Sequence, residues 1–339
     1  MSLSIQATKL IQAYCLQLQK SAAVEGVDVE KKFAIAPPVE TVLRNAIIQS
    51  DSFLKMISNI PVDQIKGQVV DVGTGMLVTG RNANGRHMAK MGNGGHEYEL
   101  VETDSGAAIT WQMLTQWANA GSAKEFNKKM NQQITRMFAL DILKIGFNGT
   151  SIAATTNPET NPLGQDVNKG WLTFVKERKP AQVLAIAKLD PTGATADSFR
   201  NLDALANDLK RQVIHEVHRE SPDLVVLVGS DLVSYEQHRL LDQDNTPTEH
   251  KAAQSLSKTI AGMKAYTPPF FPADRMMITT PDNLQVLTQK GTQWRKAKNE
   301  EDRKQFENSY LRMEGYAVGD LDKYAAIEAV TIIDPPPAA

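Results

Sequence analysis

The sequence predicts an α+β protein with about two lobes, and three features carry that reading. Nine glycines fall in the forty residues from Gly67 to Gly106, a density that marks turns and positive-φ positions rather than a packed core. A long amphipathic segment follows, from Ser122 to Gly146. From Asp197 onward a helical stripe and short apolar strand-like runs alternate, as in a compact mixed lobe. A length of 339 residues exceeds what one hydrophobic core ordinarily serves.

Along the chain, Leu3, Leu10, Ile11, Tyr14 and Leu18 recur at helical spacing and predict a short amphipathic helix over residues 3–20. A polar link from Ser21 to Lys32 leads to Ala36-Pro37-Pro38, where two prolines are expected to hold the chain extended and leave a boundary open to proteases. Val39 to Ile60 is again amphipathic through Val42, Leu43, Ala46, Ile47, Phe53, Leu54 and Ile57, with Pro61 expected to close it.

The glycine-rich stretch is flanked by alternating runs: Val69-Val70-Asp71-Val72 on entry and Tyr98-Glu99-Leu100-Val101-Glu102 on return. It therefore reads as a long two-stranded excursion. An isolated hairpin is marginal in water, so such an arm needs another surface to lie on, a neighbouring subunit being the natural one. Composition alone leaves a surface loop as the alternative.

Ser122-Ala123-Lys124-Glu125 has the spacing of a capping box, in which hydroxyl and carboxylate satisfy each other's free backbone amides. Phe126, Met130, Ile134, Met137, Phe138, Asp141 and Ile145 follow at helical steps and place a stripe on one face. A helix of this length spans roughly 36 Å and suits a spine. It ends in Gly146-Phe147-Asn148-Gly149.

Turn signals at Asn157-Pro158, Asn161-Pro162-Leu163 and the run Gly164 to Leu172 precede a short helix and a strand at Val183 to Lys188. Leu202, Leu205, Leu209, Val213 and Val217 give a helical stripe, Leu224 to Val228 a buried strand, and Asp231 to Leu241 a helix. Thr267 to Asp274, with three prolines, reads as a rigid corner; Met276 to Thr279 and Leu284 to Leu287 read as strands. Tyr324 to Ile333 is a last strand before a proline-rich tail.

Composition narrows the function classes. Lys plus Arg number 37 against 39 Asp plus Glu, a formal charge of −2, so the net balance gives no basic footprint for specific nucleic-acid recognition. No apolar run reaches the eighteen residues of a membrane span, and the N-terminus lacks the pattern of a signal peptide, so a soluble chain not exported by that route is expected. Cys15 is the single cysteine and excludes an intramolecular disulfide.

No catalytic motif emerges. Gly75 to Asn82 has the glycine spacing of a phosphate loop, but Arg81 and Asn82 stand where the mechanism needs a lysine and a hydroxyl residue. His215 and His218 are three apart, not the four of a zincin, and no third ligand is signposted, which favours solvent-facing histidines. Cys15 has no histidine near it in sequence and no serine sits in a Gly-x-Ser-x-Gly elbow. Asn148-Gly149-Thr150 fits the glycosylation pattern but reads as a helix stop. These observations predict neither an enzyme nor a cofactor or metal site.

Several stretches together resemble the major capsid protein of P2-type tailed bacteriophages: Lys31-Lys32-Phe33, Ile60-Pro61-Val62 with Ile65-Lys66-Gly67, Gly146-Phe147-Asn148-Gly149, Asn161-Pro162-Leu163, and Gln165-Asp166-Val167-Asn168-Lys169-Gly170-Trp171-Leu172. Asp223-Leu224-Val225-Val226, Val228-Gly229 and Phe271-Pro272-Ala273-Asp274 continue the likeness collinearly. The resemblance implies an HK97-type capsid fold. On it, residues 1–33 would be a propeptide removed on maturation, 34–66 an N-terminal arm, and 67–110 the extended hairpin, or E-loop. Residues 111–196 would form a peripheral domain with the spine helix over 122–146, 197–319 an axial domain, 320–334 a strand returning to the peripheral domain, and 335–339 a tail.

The same resemblance implies a shell subunit that assembles in many copies, as pentamers and hexamers, into an icosahedral procapsid enclosing double-stranded phage DNA. Its implied partners are its own copies, a scaffolding protein that doubles as maturation protease, a portal protein at one vertex, and packaged DNA through non-specific contact, with no membrane. The implied location is the virion, after assembly in the host bacterial cytoplasm. Phe33 and Ala34 flank the expected cleavage. Gly75, Gly80, Gly85, Gly92, Gly94 and Gly95 mark the inter-subunit hairpin, and Ser122, Glu125, Phe126, Met130, Ile134 and Met137 the spine. Isopeptide cross-linking through Lys90 and Asn93 is not expected of this branch. A cellular nanocompartment shell on the same fold is the alternative, to be told apart by a cargo enzyme and the absence of portal and terminase neighbours; an enzyme would need convergent polar residues in a pocket.

Overall fold

The computed structural model describes residues 3–21, 28–69, 79–82, 86–88, 95–119, 122–242 and 258–333. In chain order the elements are α1 (Ile5–Ser21), β1 (Phe33–Ala34), α2 (Pro37–Ile48), β2 (Ser58–Val62), β3 (Lys66–Val69), β4 (His96–Glu99), β5 (Val101–Thr110), α3 (Trp111–Asn119) and α4 (Ala123–Asn148). There follow α5 (Trp171–Arg178), β6 (Val183–Leu189), β7 (Ser198–Phe199), α6 (Leu202–Val213), α7 (Glu216–Arg219), β8 (Val225–Val228) and α8 (Ser230–Asp242). The last are β9 (Thr259–Ile260), β10 (Met263–Tyr266), β11 (Met276–Thr279), β12 (Leu284–Gln289), β13 (Trp294–Glu300), β14 (Gln305–Val318) and β15 (Ala325–Ile332). The chain forms two compact units, one of residues 1–66, 99–143 and 286–315, the other of residues 67–98, 144–285 and 316–339.

The first unit is built on a six-stranded sheet in the order β1-β13-β14-β12-β2, with β5 also pairing β14. Val101–Thr110 falls in the stretch expected to belong to the hairpin. It instead runs antiparallel to β14 along its whole length, from Val101 opposite Glu314 to Thr110 opposite Gln305. It buries Thr103, Ser105, Ala107 and Ile109 on alternate positions. The β14 strand was not legible because its buried face mixes Phe306 and Tyr310 with Asn308, Arg312 and Glu314. Arg312 and Glu314 are each 2% exposed and pair with one another, while Arg312 Nη1 donates to Ser105 Oγ at 2.8 Å. A buried face that mixes polar and apolar side chains hides the period-two hydropathy that signals a strand.

Helices cover this unit. Ala7, Ile11, Tyr14 and Leu18 are the buried stripe of α1. The two prolines do not hold the chain extended: Ala36 alone is extended (φ −64°, ψ 142°), and Pro37 and Pro38 begin α2, where the missing amides cost nothing. Nor does one helix run to Ile60. α2 stops at Ile48, Asp51 accepts from the amides of Phe53 and Leu54 to start a 3-10 turn, and Pro61 lies in the edge strand β2, where proline is tolerated. The capping box holds: Ser122 N donates to Glu125 Oε2 at 2.9 Å and Glu125 N to Ser122 Oγ at 3.4 Å.

The second unit carries a seven-stranded sheet, β7-β6-β15-β11-β8-β10-β9. Its core gathers Leu202, Leu205, Ala206 and Leu209 of α6 with Val226, Val228, Met276, Ile278, Ala325 and Ile327 of the sheet. Val217 leaves the expected stripe: α6 ends at Val213, Ile214 turns extended, and Val217 is 63% exposed. β15 pairs in parallel with β6, part of the stretch expected to be peripheral, and on its other edge with β11 of the stretch expected to be axial, so one sheet spans the boundary expected at residue 197. Likewise 286–315, expected in the axial lobe, belong to the first unit. The tail 335–339 lies outside the described residues.

Candidate assembly surfaces

The glycine-rich excursion has a defined stem. β3 and β4 pair as a separate two-stranded sheet, and Lys66 meets Glu99 at 2.8 Å at its base. Tyr98 lies across Gly67, where any Cβ would stand 2.6 Å from the phenol oxygen. Arg178 of α5 grips the stem: its Nε and Nη2 donate to Glu97 O, and its guanidinium lies 3.7 Å from the centre of the Phe174 ring. Burial lowers the pKa of this guanidinium, the neighbouring Glu177 and Glu97 opposing that shift. Arg178 escaped the sequence reading; its signal was only an arginine four residues after an aromatic on a short helix.

Beyond the stem, Gly80, Arg81, Asn82, Arg86, His87 and Met88 are exposed, Met88 at 86%. A Cβ at Gly80 would meet the His87 ring at 2.8 Å, and one at Gly95 the carbonyl of Val69 at 2.7 Å. Gly75, Gly85, Gly92 and Gly94 lie outside the described residues, as do Lys90, Asn93 and the first half of the phosphate-loop lookalike.

The spine residues divide. Phe126, Met130, Ile134 and Phe138 are all buried at steps of four, whereas Met137, expected on the stripe, is 36% exposed, one residue and about 100° round the helix from Phe138. Arg136 on the outer face donates to Asp51 Oδ2 at 2.9 Å and to Ser50 O at 2.7 Å, tying the spine to the end of α2.

α4 continues two residues beyond Gly146, and its end is a knot of close backbone approaches. A Cβ on Gly146 would stand 2.4 Å from the Trp171 ring, one on Gly149 2.1 Å from Asn168 O, and one on Gly170 2.4 Å from Gly146 O. Trp171, fully buried, donates from Nε1 to Gln285 O at 2.9 Å and packs edge-on against Phe147 and Tyr316. Asn148 Nδ2 donates to Lys144 O and Phe270 O, and Arg275 donates to Phe147 O. The two glycine motifs that single out this sequence therefore meet in one place, and the Asn148 amide is committed to carbonyls.

The expected processing site is less open than its sequence suggests. Phe33, 5% exposed, stands opposite Arg295, and Ala34 opposite Trp294, in the β1–β13 ladder; Ile35 N donates to Gln293 O at 3.0 Å. Lys31 and Lys32 beside it are exposed. A protease acting on the Phe33–Ala34 bond must first peel β1 from β13, because proteolysis takes unpaired, accessible chain.

The titratable residues considered for chemistry are dispersed. His215 Nδ1 accepts from Val217 N and so caps α7, and His218 Nε2 lies 3.2 Å from Asp320. Among the described residues no three His, Cys, Asp or Glu side chains converge as a metal site would require. Burial, helped by Glu30, pushes the Cys15 thiol up to about 11. No helix among the described residues is long and apolar enough to cross a membrane.

Comparison with known proteins gives this arrangement its context. The family model for "Phage major capsid protein, P2 family" matches residues 10–330. The chain is 29% identical to the "Capsid proteins" of Escherichia phage P2 over 291 residues, 81% of this chain and 80% of that one. It is 28% identical over 343 residues to the "Major capsid protein" of Serratia phage KSP20, covering 96% and 97% of the two. Its fold matches a chain of the satellite phage P4 procapsid that includes the size determination (Sid) protein. That match has a TM-score of 0.76 at 25% identity and covers 95% of this chain and 99% of the other. The architecture is thus the HK97-type α+β fold, and the chain belongs to the P2 family of phage major capsid proteins.

Proposed function

We propose that this capsid protein builds an icosahedral procapsid through an E-loop, residues 67–99, that lies over a neighbouring copy. In this reading the lobe around β8 and β10 gathers at the five-fold and six-fold vertices. The observation that supports it best is the hairpin stem clamped by Arg178, with Arg81, Arg86, His87 and Met88 exposed among the described residues beyond it. A two-stranded arm gains stability only against another surface, and a repeated head-to-tail contact between copies can close a shell.

The finer partners follow the same reading. A scaffold with protease activity directs closure and removes about the first 33 residues, a portal occupies one vertex, and packaged DNA meets the inner wall without sequence preference; assembly takes place in the bacterial cytoplasm and the product resides in the virion. Electron microscopy of the chain expressed with and without its scaffold, read beside intact mass, tests this. Uniform closed shells with loss of the N-terminal segment are expected. A small uniform oligomer with an intact N-terminus under all conditions would overturn it.

A further inference from the structure

We infer that the N-terminal segment, once cut from the chain, stays seated in the first unit as a bound peptide instead of leaving the particle. The inference rests on the processing reading above.

α1 packs against α3, and the segment's attachment does not depend on the covalent link at residue 33. Ile11, Tyr14, Leu18, Val29 and Phe33 are all buried. The polar ties are spread along the segment: Gln6 Nε2 donates to Ala118 O at 3.0 Å, Tyr14 Oη to Asn131 Oδ1 at 3.0 Å, Asn127 Nδ2 to Gln17 Oε1 at 2.7 Å, and Ala297 N to Val29 O at 2.8 Å. Tyr14 is the anchor. Its ring meets Phe306 edge-on at 6.0 Å, and its hydroxyl, its pKa raised by burial, has Arg295 and Asn308 beside it.

Departure would open the fully buried Phe306, and the buried faces of Tyr14, Ile11 and Leu18, to water, the cost that normally holds an apolar element in place. A free seventeen-residue helix is marginal in water, so the released peptide gains no folded state of its own by leaving. Cleavage therefore frees the chain end at Ala34 while leaving the α1 site filled.

The test is peptide-to-subunit stoichiometry in purified shells matured by the protease, measured by denaturing mass spectrometry. Close to one propeptide per cleaved subunit is expected; cleaved subunits without peptide would overturn the inference. Should the subunits prove uncut, the processing reading fails, and retention is measured instead on shells carrying a specific protease sequence between Ser21 and Asp28, cut in place. Tyr14→Ala should weaken retention roughly a hundredfold, from the loss of one buried aromatic anchor. Leu16→Ser, at a position 58% exposed, should leave it unchanged; equal loss from both variants would also overturn the inference.

Discussion

Replacing Gly146 by alanine tests whether the motif at the end of the spine exists for close approach. In an ordinary helix the change is favourable by about 0.5–1 kcal/mol, since glycine is the poorer helix former. Here the added Cβ would fall 2.4 Å from the Trp171 ring, itself fully buried and held by Gln285 O, Phe147 and Tyr316. A rigid ring gripped on three sides cannot swing aside as the tip of a lysine could. Forcing it to shift costs about 1–3 kcal/mol as overpacking, and weakening its hydrogen bond adds about 0.5–1.5 kcal/mol. The net expectation is a loss of about 1–3 kcal/mol, read as a lowered denaturant midpoint of unassembled subunits at unchanged slope. Gly106→Ala is the control, because a Cβ there meets nothing within 4 Å. A Gly146→Ala protein as stable as the parent, or more stable, would mean that the Trp171 ring does not require glycine at this position.

Further outcomes follow from other sites. Glu314→Gln or Arg312→Met should each destabilise the first unit by about 3–5 kcal/mol, because each leaves a buried charge without its partner. The double substitution should cost much less than the sum, and strict additivity in denaturant unfolding would show that the pair is not coupled. Asp190, buried, accepts hydrogen bonds from Thr192 and Thr195 that hold its carboxyl well below the usual carboxylate range. Its contribution is present above the ordinary carboxylate pKa of about 3.9 and is lost as pH falls towards the depressed value. Asp190→Asn should therefore be less stable than the parent at neutral pH, with the gap narrowing below about pH 4; a gap independent of pH would contradict the assignment. Arg178→Ala should speed amide exchange in β4 about tenfold or more, the equivalent of one lost hydrogen bond to a charged donor. Unchanged protection of Glu97 to Glu99 would remove Arg178 from its role as the stem's clamp.

What could be read from the sequence was whatever short-range pattern dictates. Helix α4 announced itself through Ser122 and Glu125, and β8 through an unbroken apolar run, because a capping box and a fully buried strand are both local signals. The segment Gly146 to Gly149 and the run up to Leu172 could be singled out as distinctive, but their meeting in space depends on contacts between residues 19 to 25 apart, such as Gly149 with Asn168 and Gly146 with Trp171. Two kinds of element stayed hidden. β14 buries an ion pair and an asparagine on its inner face, so hydropathy did not alternate. The lobes also weave, with β15 inserted between β6 and β11 and residues 286–315 joined to the N-terminal unit, an arrangement that strand pairing sets and no local signal announces. At Pro37 the error was one of position: proline is the same residue whether it breaks a helix or opens one, and only the path of Ala36 decides.

The most direct test of the account is a reconstruction by electron cryomicroscopy of shells assembled from this chain. A closed icosahedral lattice is expected, in which the arm beyond the β3–β4 stem crosses onto the adjoining subunit while Arg178 still holds Glu97. Shells whose arm folds back on its own subunit, or particles that never close, would contradict it.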